Sequence, residues 1–372
     1  MSKNYLNMVT LGDVLDYEQP TNYIVDKADY SDEFEIPVLT AGKTFLLGYT
    51  DETHNVFKNI PVIIFDDFTT AFKYVDFPFK VKSSAMKILK AKEEIADIKF
   101  LYYRMMKTGI DTQLHKRYWI SKYSKVKIPL PPLDQQKKIA AILDAADTYR
   151  QKTKALITKY DELTQSLFLD MFGGYFKNKE GYLSISEVSS FIDYRGKTLT
   201  KVDNGIAYVT AKSVRIGYFD KKRLDYITKE TYDEIMTRGY PKTGDVLFTT
   251  EGATLGFTCR IPHGLEEFAV GQRLITLQTK ENYNSVVLEF MLNSSEIQGS
   301  IFQLATGSAV KGIRAAKFKT IKIPVPPIDL QTKFAERVKV IESQKEQAQA
   351  GLVQAENLFN SLLQRAFKGE LV

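Results

Sequence analysis

The stretch IPLPPLDQQKKIAAIL, which begins at Ile128, returns as IPVPPIDLQTKFAERV beginning at Ile323. The offset is 195 residues at every matched position, and the match runs without a gap to Phe172 and Phe367. A chance similarity would not keep one register over so long a stretch. The chain therefore contains a tandem duplication, and the repeated unit decides its architecture.

Each repeated stretch predicts the start of a long helix. The chain arrives extended at the Pro-Pro pair, because proline lacks an amide donor and disfavours helix at the preceding residue. Asp134 and Asp329 are predicted N-caps, since a carboxylate satisfies free amides and suits the helix dipole. Two helices of about 38 residues, each about 57 Å long at 1.5 Å per residue, are too long for one small module and should pack together.

Apolar residues then recur at steps of three and four, a heptad pattern that predicts an antiparallel coiled coil between the two helices. Lys152, Lys154, Lys345 and Glu346 are interpreted as a solvated flank. The predicted seam comprises Ile139, Ile142, Ala146, Tyr149, Thr153, Leu156, Tyr160, Leu163 and Leu167 in the first helix, and Phe334, Val338, Ile341, Ala348, Leu352, Ala355, Phe359 and Leu362 in the second.

The segments between the helices repeat more loosely. VLTAGKTFLLGYTD from Val38 resembles YVTAKSVRIGYFD from Tyr208, and FKVKSSAMKIL from Phe79 aligns with EFAVGQRLITL from Glu267. The two modules should therefore share one mixed fold whose sequence has drifted. The predicted class is α+β: two globular mixed α/β modules in tandem, separated by the antiparallel coiled coil, with pseudo-twofold symmetry. The predicted divisions are 1–130 (first module), 131–173 (first helix), 174–325 (second module) and 326–372 (second helix).

Bulk composition narrows the class of protein. Of the 372 residues 44% are hydrophobic and 12% aromatic, which favours folded cores over disorder. The single Cys259 excludes an internal disulfide. No signal peptide is expected, and no apolar run approaches the ~18 residues of a membrane span, so a cytoplasmic protein is predicted. With 51 basic and 45 acidic residues, any nucleic-acid surface must be local.

Motifs that would indicate catalysis are incomplete. GKT occurs at Gly42 and Gly196 without the upstream glycine of a phosphate-binding loop. The three histidines are too far apart along the chain for metal-ligand spacing. Asp66 and Asp67 are adjacent, so their carboxylates should point to opposite faces; a structural role is favoured, with contact to cytosine amino groups as the alternative. No catalytic or metal site is expected.

The sequence resembles the specificity subunit of type I restriction-modification systems. The resemblance covers essentially the whole chain and is carried by the two Pro-Pro motifs, GDVLFTTEGATLG from Gly244, VGQRL from Val270 and TGSAVKGI from Thr306. In the first module Lys82, Ser83 and Ser84 stand where the second has GQR, so the two modules should read different sequences.

The resemblance implies a non-catalytic subunit that recognises DNA. Each module would then be a target-recognition domain that reads half of a bipartite double-stranded site. The paired helices would set the spacing and dock two methyltransferase subunits, and restriction subunits would join through them. S-adenosylmethionine, ATP and magnesium would belong to those partners, leaving this chain without a cofactor.

Candidate DNA-binding residues are basic, hydroxyl or amide side chains near turns, because such groups contact phosphates and base edges. Arg273 and Gln272 are the preferred base readers, since arginine pairs with guanine and glutamine with adenine. Tyr118 and Trp119 are expected in the core. The candidates are Lys43, Thr44, Thr69, Thr70, Lys73, Lys82, Ser83, Lys116 and Arg117 in the first module, and Arg195, Lys197, Thr198, Lys212, Arg215, Thr249, Thr250, Gln272, Arg273, Lys311 and Arg314 in the second.

Three alternatives stay open. The chain could serve a type II-like methyltransferase-nuclease, which flanking genes would decide. It could be a self-contained DNA-modifying enzyme, which methyl transfer by the chain alone would reveal. It could also be a coiled-coil scaffold that never touches DNA, which the absence of a salt-dependent, sequence-selective shift of duplex DNA would indicate.

Overall fold

The computed structural model describes residues 7–40, 44–108, 118–178, 181–194 and 199–371. The chain divides into two compact units: residues 1–155 with 349–372 form the first, and residues 156–348 form the second. Each unit combines one mixed α/β module with a segment of each long helix.

The first module is built on a four-stranded antiparallel sheet of order β2-β8-β5-β6, beside a three-stranded sheet of order β4-β3-β7 and the pair β1-β9. Its strands are β1 (Asn7–Thr10), β2 (Leu15–Glu18), β3 (Ile36–Leu39), β4 (Leu46–Thr50), β5 (Val62–Asp66), β6 (Phe72–Val75), β7 (Lys80–Val81), β8 (Met86–Ala91) and β9 (Lys127–Leu130). Its helices are α1 (Leu11–Val14), α2 (Ile98–Met106) and α3 (Tyr118–Ser121).

The second module repeats these sheets as β11-β19-β16-β17, β15-β12-β18 and β10-β20, and adds the hairpin β13-β14. Its strands are β10 (Tyr182–Ser184), β11 (Ser189–Asp193), β12 (Ile206–Val209), β13 (Val214–Arg215), β14 (Tyr218–Phe219), β15 (Asp225–Ile227), β16 (Val246–Thr249), β17 (Thr258–Arg260), β18 (Phe268–Val270), β19 (Leu274–Thr279) and β20 (Lys322–Pro324). Its helices are α5 (Ile185–Val188), α6 (Lys229–Ile235), α7 (Ser285–Asn293), α8 (Ser295–Leu304) and α9 (Ala315–Lys319). The equal strand orders confirm that the two modules share one fold.

The long helices are α4 (Leu133–Asn178, 46 residues) and α10 (Ile328–Lys368, 41 residues), so α4 continues beyond the predicted end at residue 173. Both begin one residue before the predicted N-caps. The amide of Gln136 donates to the carbonyl of Pro132 (3.0 Å), and this is the first hydrogen bond of the α-helical type in α4. Asp134 and Asp329 are therefore first-turn residues, where their charge still suits the helix dipole.

In the first unit the start of α4 packs antiparallel on the end of α10. The Arg150 guanidinium lies 4.4 Å from the Phe359 ring centroid, and Nζ of Lys154 lies 3.3 Å from Oε1 of Glu356. Residues later in α4 thus meet residues earlier in α10, which defines the antiparallel direction. Lys154 is exposed, as predicted for a solvated flank, and it also forms an ion pair across the seam.

In the second unit the remaining segments of the two helices also pack antiparallel. The Phe172 ring contacts Phe334 with centroids 5.1 Å apart, and Lys345 forms an ion pair with Asp161. Lys345 is thus a second flank residue with a partner across the helices. The predicted antiparallel pairing is confirmed within each unit.

The seam of α4 differs from the prediction at every second position. Ile142, Tyr149, Leu156 and Leu163 are exposed, between 38% and 56% of their surface. In each case the next residue along the chain is buried or half-buried instead. These inward residues are Leu143, Arg150, Ile157 and Thr164. The predicted positions Ile139, Ala146, Thr153, Tyr160 and Leu167 on α4, and all eight on α10, are buried or half-buried.

Polar residues can occupy this seam because local hydrogen bonds satisfy them. The hydroxyls of Thr153 and Thr164 donate to carbonyls one turn earlier in their own helix, at 2.9 and 2.8 Å. Arg150 donates to Asp147 while its plane covers an aromatic ring of α10. A prediction from apolar residues alone therefore assigns the wrong residues of α4 to the seam at every second position.

The repeated motif also holds a buried glutamine in each unit. Nε2 of Gln136 donates to the carbonyls of Ile95 (2.9 Å) and Pro131 (2.8 Å), and its Oε1 accepts the amide of Asp97 (2.9 Å), the N-cap of α2. Gln331 repeats this pattern with Asn282, Pro326 and Asn284, the N-cap of α7. Both side chains are fully buried, so each joins a long helix to its own module.

Candidate nucleic-acid interface

Three separate segments of the second module meet around one cavity of about 530 Å³. Three predicted DNA-binding residues line it: Thr250, Gln272 and Arg314. These residues are more than twenty positions apart along the chain: Thr250 and Gln272 lie in two of the motifs that carry the family resemblance, and Arg314 directly follows a third. The lining also includes Glu251, Thr306, Val310, Gly312 and Ile313, none of which was predicted.

Backbone hydrogen bonds hold these segments together. The amide and the hydroxyl of Thr250 both donate to the carbonyl of Arg273, at 2.9 and 3.0 Å. The amide of Ile313 donates to the carbonyl of Thr250 (2.9 Å). Gly312 must stay small, because an added Cβ would lie 3.1 Å from Cβ of Glu251. The cavity therefore stands on a scaffold that is braced before any ligand arrives.

Arg273 and Glu251 form an exposed ion pair at this place. Nε of Arg273 lies 2.8 Å from Oε1 of Glu251, and the two side chains are 59% and 46% exposed. Glu251 lies inside the GDVLFTTEGATLG motif, but an acidic residue was outside the basic, hydroxyl and amide types considered as DNA contacts. The signal that could have found it is its place directly after Thr250 in that motif.

The other predicted residues of the second module are more dispersed. Lys212 and Lys311 are exposed, and half-buried Arg215 lies on β13 with its guanidinium donating to the carbonyl of Val214 (2.9 Å). Thr249 is fully buried, so its selection as a DNA contact is corrected: it faces the core of the module. The predicted residues Arg195, Lys197 and Thr198 lie outside the described residues.

In the first module Thr44, Thr69, Lys73 and Lys82 are exposed, whereas Thr70 and Ser83 are half-buried. The Thr69 hydroxyl donates to the Asp66 carboxylate, which ties it to its own turn. Lys43, Lys116 and Arg117 are predicted residues that lie outside the described part of the chain. DNA contact by all these candidates stays a prediction.

Equivalent hydrogen bonds identify corresponding positions in the two modules. The amide of Asp67 donates to the carbonyl of Ala85 (3.3 Å), as that of Thr250 does to Arg273. The first module therefore has alanine at the position of Arg273. The predicted equivalence of Lys82, Ser83 and Ser84 with GQR is therefore wrong in register, because the segment between β7 and β8 is one residue longer than that between β18 and β19 and ends at Ala85.

Asp66 and Asp67 are buried and have structural partners, as the favoured interpretation held. Oδ1 of Asp66 accepts the amide of Phe68 (2.9 Å). Oδ1 of Asp67 accepts the amide of Trp119 (2.8 Å), and its Oδ2 lies 3.6 Å from Nζ of buried Lys87. Trp119 and Tyr118 are buried too, as predicted.

Asp26, Glu52 and His54 bring metal-type ligands together, which the spacing of the histidines did not predict. Glu52 is already satisfied by other groups, because Nζ of Lys80 lies 2.7 Å from it and the amides of Asp26 and Lys27 donate to it. Although burial opposes ionisation, these hydrogen bonds lower the pKa of Glu52 to about 2. The Lys80 ammonium supplies the positive charge here, so the cluster acts as a brace between loops.

Comparison with known families gives a match over most of the chain. A family described as the type I restriction modification DNA specificity domain matches twice, over residues 5–164 and 183–352. The two matches correspond to the two halves of the duplication.

Individual relatives agree with this match. The chain is 34% identical over 351 residues to the Type I restriction enzyme EcoR124I/EcoR124II specificity subunit of Escherichia coli, covering 88% of this chain and 84% of that protein. It is 23% identical over 292 residues to the Type I restriction enzyme MjaVIII specificity subunit of Methanocaldococcus jannaschii, covering 71% and 68%.

A solved structure supports the fold. The crystal structure of a type-I restriction-modification system S subunit from M. genitalium aligns over 98% of this chain and 97% of that chain, with a TM-score of 0.63 and 16% identity. At this identity the likeness concerns the fold alone. No helix in the described ranges has the length and apolar composition needed to cross a bilayer.

Proposed function

The chain belongs to the type I restriction-modification DNA specificity family, and on that premise we propose that it selects the DNA sequence on which a type I complex acts. Each module reads one half of a bipartite double-stranded target. The observation that carries this proposal is one scaffold, repeated with the same sheet orders, that presents different chemistry at corresponding positions.

Arg273 of the second module and Ala85 of the first illustrate that difference. The Ala85 carbonyl accepts the amide of Asp67, directly after β5, and the Arg273 carbonyl accepts that of Thr250, directly after β16, so the backbones correspond. The side chains differ by a guanidinium group, which can donate two hydrogen bonds to guanine. Two modules of one fold can thus read two different half-sites, which suits an asymmetric target.

The paired helices serve as spacer and docking surface. Two adenine methyltransferase subunits bind this chain, and restriction subunits join through them. S-adenosylmethionine, ATP and magnesium are held by those partners, where an adenine flipped out of the duplex is methylated. The chain itself is non-catalytic and works in the cytoplasm.

The test is to assemble the chain with the methyltransferase encoded beside it and to offer the complex a pool of randomised duplex DNA. We expect methylated molecules to share two short sequences separated by a constant gap. Chain alone should transfer no methyl group, and methylation without the partner would overturn the non-catalytic role. Methylation without any shared sequence would overturn the proposal and favour a scaffold.

A specificity subunit of a type II-like methyltransferase-nuclease is the alternative within the same class. The family match favours the type I complex. ATP-dependent cleavage after addition of the neighbouring restriction subunit would support that assignment. Cleavage by the methyltransferase assembly alone would support the alternative.

A further inference from the structure

The Glu251–Arg273 ion pair is poorly explained by folding stability. Both side chains are about half exposed, and exposed ion pairs contribute little to stability. An acidic group on a DNA-facing surface also opposes phosphate binding, since affinity for DNA depends mainly on cations. Glu251 can hold the Arg273 guanidinium in one orientation, and its carboxylate can also accept a hydrogen bond from a DNA group.

The backbone of both residues is held in place. The carbonyl of Arg273 accepts two hydrogen bonds from Thr250, and the turn before it is closed by the amide of Leu274 donating to Gly271 (3.0 Å). The Glu251 backbone forms a bridge with Gly312, and the amide of the following Gly252 donates to the carbonyl of Lys311 (3.0 Å). Rigid supports let a donor and an acceptor meet a base edge with little loss of freedom.

The ion pair leaves groups available for DNA. It uses Nε of Arg273, and within the described residues the terminal amino groups of that guanidinium have no protein partner. Glu251 is acceptor-only when ionised, and one of its oxygens lies beside Nε. Guanine presents two acceptors, O6 and N7, in the major groove, and its partner cytosine presents the N4 amino donor beside them.

We propose that Arg273 and Glu251 together read one G·C base pair in the half-site of the second module: the Arg273 fork donates to O6 and N7 of guanine, and Glu251 accepts from N4 of cytosine. Glu251 is thus a specificity-determining residue. This inference rests on the proposed function and adds to it the base pair recognised. The first module has Ala85 in place of Arg273, so its half-site is read by other contacts.

The test uses the chain in complex with its methyltransferase and a randomised duplex pool, with methylated molecules recovered and sequenced. The variants are Glu251→Gln and Glu251→Ala. Glu266→Gln is the matched control, because it removes the same charge from an exposed position of the same module. Preference for each base pair is then measured on duplexes that differ at one position.

We expect the unmodified complex to prefer G·C over the other pairs at one position by on the order of ten- to a hundredfold. Both Glu251 variants should lower this preference without abolishing it, because the Arg273 contact to guanine remains, and the other positions and the constant gap should persist. Binding to DNA that lacks the half-site should not weaken, because a negative charge has been removed near the phosphates. The Glu266 variant should keep the full preference.

An unchanged sequence profile in the Glu251 variants would overturn the inference. So would a loss spread over both half-sites, which would indicate a structural role, or a change confined to a pair other than G·C. If the unmodified complex selected no sequence at all, the proposed function itself would fail, and this outcome is distinct from the others.

Discussion

Replacement of Gln136 by alanine should lower the free energy of unfolding of the first unit by more than replacement of an exposed polar residue does. The side chain is fully buried and makes three hydrogen bonds, two as donor and one as acceptor, at 2.8–2.9 Å. It is the connection between the start of α4, the Pro-Pro segment and the N-cap of α2. Alanine would leave two carbonyls and one amide without this partner.

The magnitude follows from the number of bonds. Each intramolecular hydrogen bond contributes about 1 kcal/mol net, and a buried group left unpaired costs about 1–3 kcal/mol. Three bonds therefore predict that Gln136→Ala lowers the free energy of unfolding by about 3 kcal/mol. With a urea dependence of about 1–3 kcal/mol per molar, the midpoint should fall by about 1–3 M.

Trp119 provides the assay, because it is the chain's single tryptophan and is buried in the first module. Its fluorescence through a urea titration reports unfolding of the unit that contains Gln136. Gln151→Ala is the control, since that glutamine is exposed on the same helix and its loss should change stability by less than about 0.5 kcal/mol. A shift for Gln136→Ala no larger than that of the control would refute the reasoning.

Three further outcomes follow from the structure. Deleting one heptad from both α4 and α10 shortens each helix by about 10.5 Å, so the gap between the half-sites should shrink by about 3 bp while both half-sequences are kept. Sequencing of the methylated DNA pool measures the gap, and altered half-sequences would contradict the spacer role. Arg260 lies 2.5 Å from fully buried Glu289 and also pairs with Glu342 of α10, so Arg260→Met should cost about 3–5 kcal/mol in urea unfolding. The pKa of Glu52, lowered to about 2, means its stabilising effect is complete above about pH 4.5 and is lost as pH falls toward 2. Glu52→Gln should therefore reduce stability at pH 7 by about 2–3 kcal/mol and flatten the acid limb of the unfolding profile, and an unchanged limb would contradict the assignment.

The duplication and its two long helices were predictable because their signals are local and repeated. Proline interrupts regular structure through its own ring, and the heptad spacing is a property of neighbouring residues on one helix. Looser matches between the modules were enough to predict one shared fold, and the equal strand orders agree. The family resemblance rested on the same motifs and is confirmed by the match over both halves.

The phase of the α4 seam was not predictable from hydrophobicity. Positions 146, 153, 160 and 167 belong to both possible stripes, and the apolar residues 142, 149, 156 and 163 favoured the wrong one. Arg150 can face inward because its guanidinium lies over the Phe359 ring and donates a hydrogen bond to the Asp147 carboxylate. Such compensation depends on the partner helix, which a pattern within one helix does not contain.

The sequence alone determined the tandem organisation, the helices and the type of residue to expect at a DNA surface, since each depends on local spacing or on residue chemistry. Only tertiary structure decided which candidates meet. Thr249 turns into the core, while Thr250, Gln272 and Arg314 line one cavity with Glu251. The physical reason is that hydrogen bonds between distant segments, Thr250 with Arg273 and with Ile313, bring those side chains together. The spacing of residues along the chain does not predict hydrogen bonds between such distant segments.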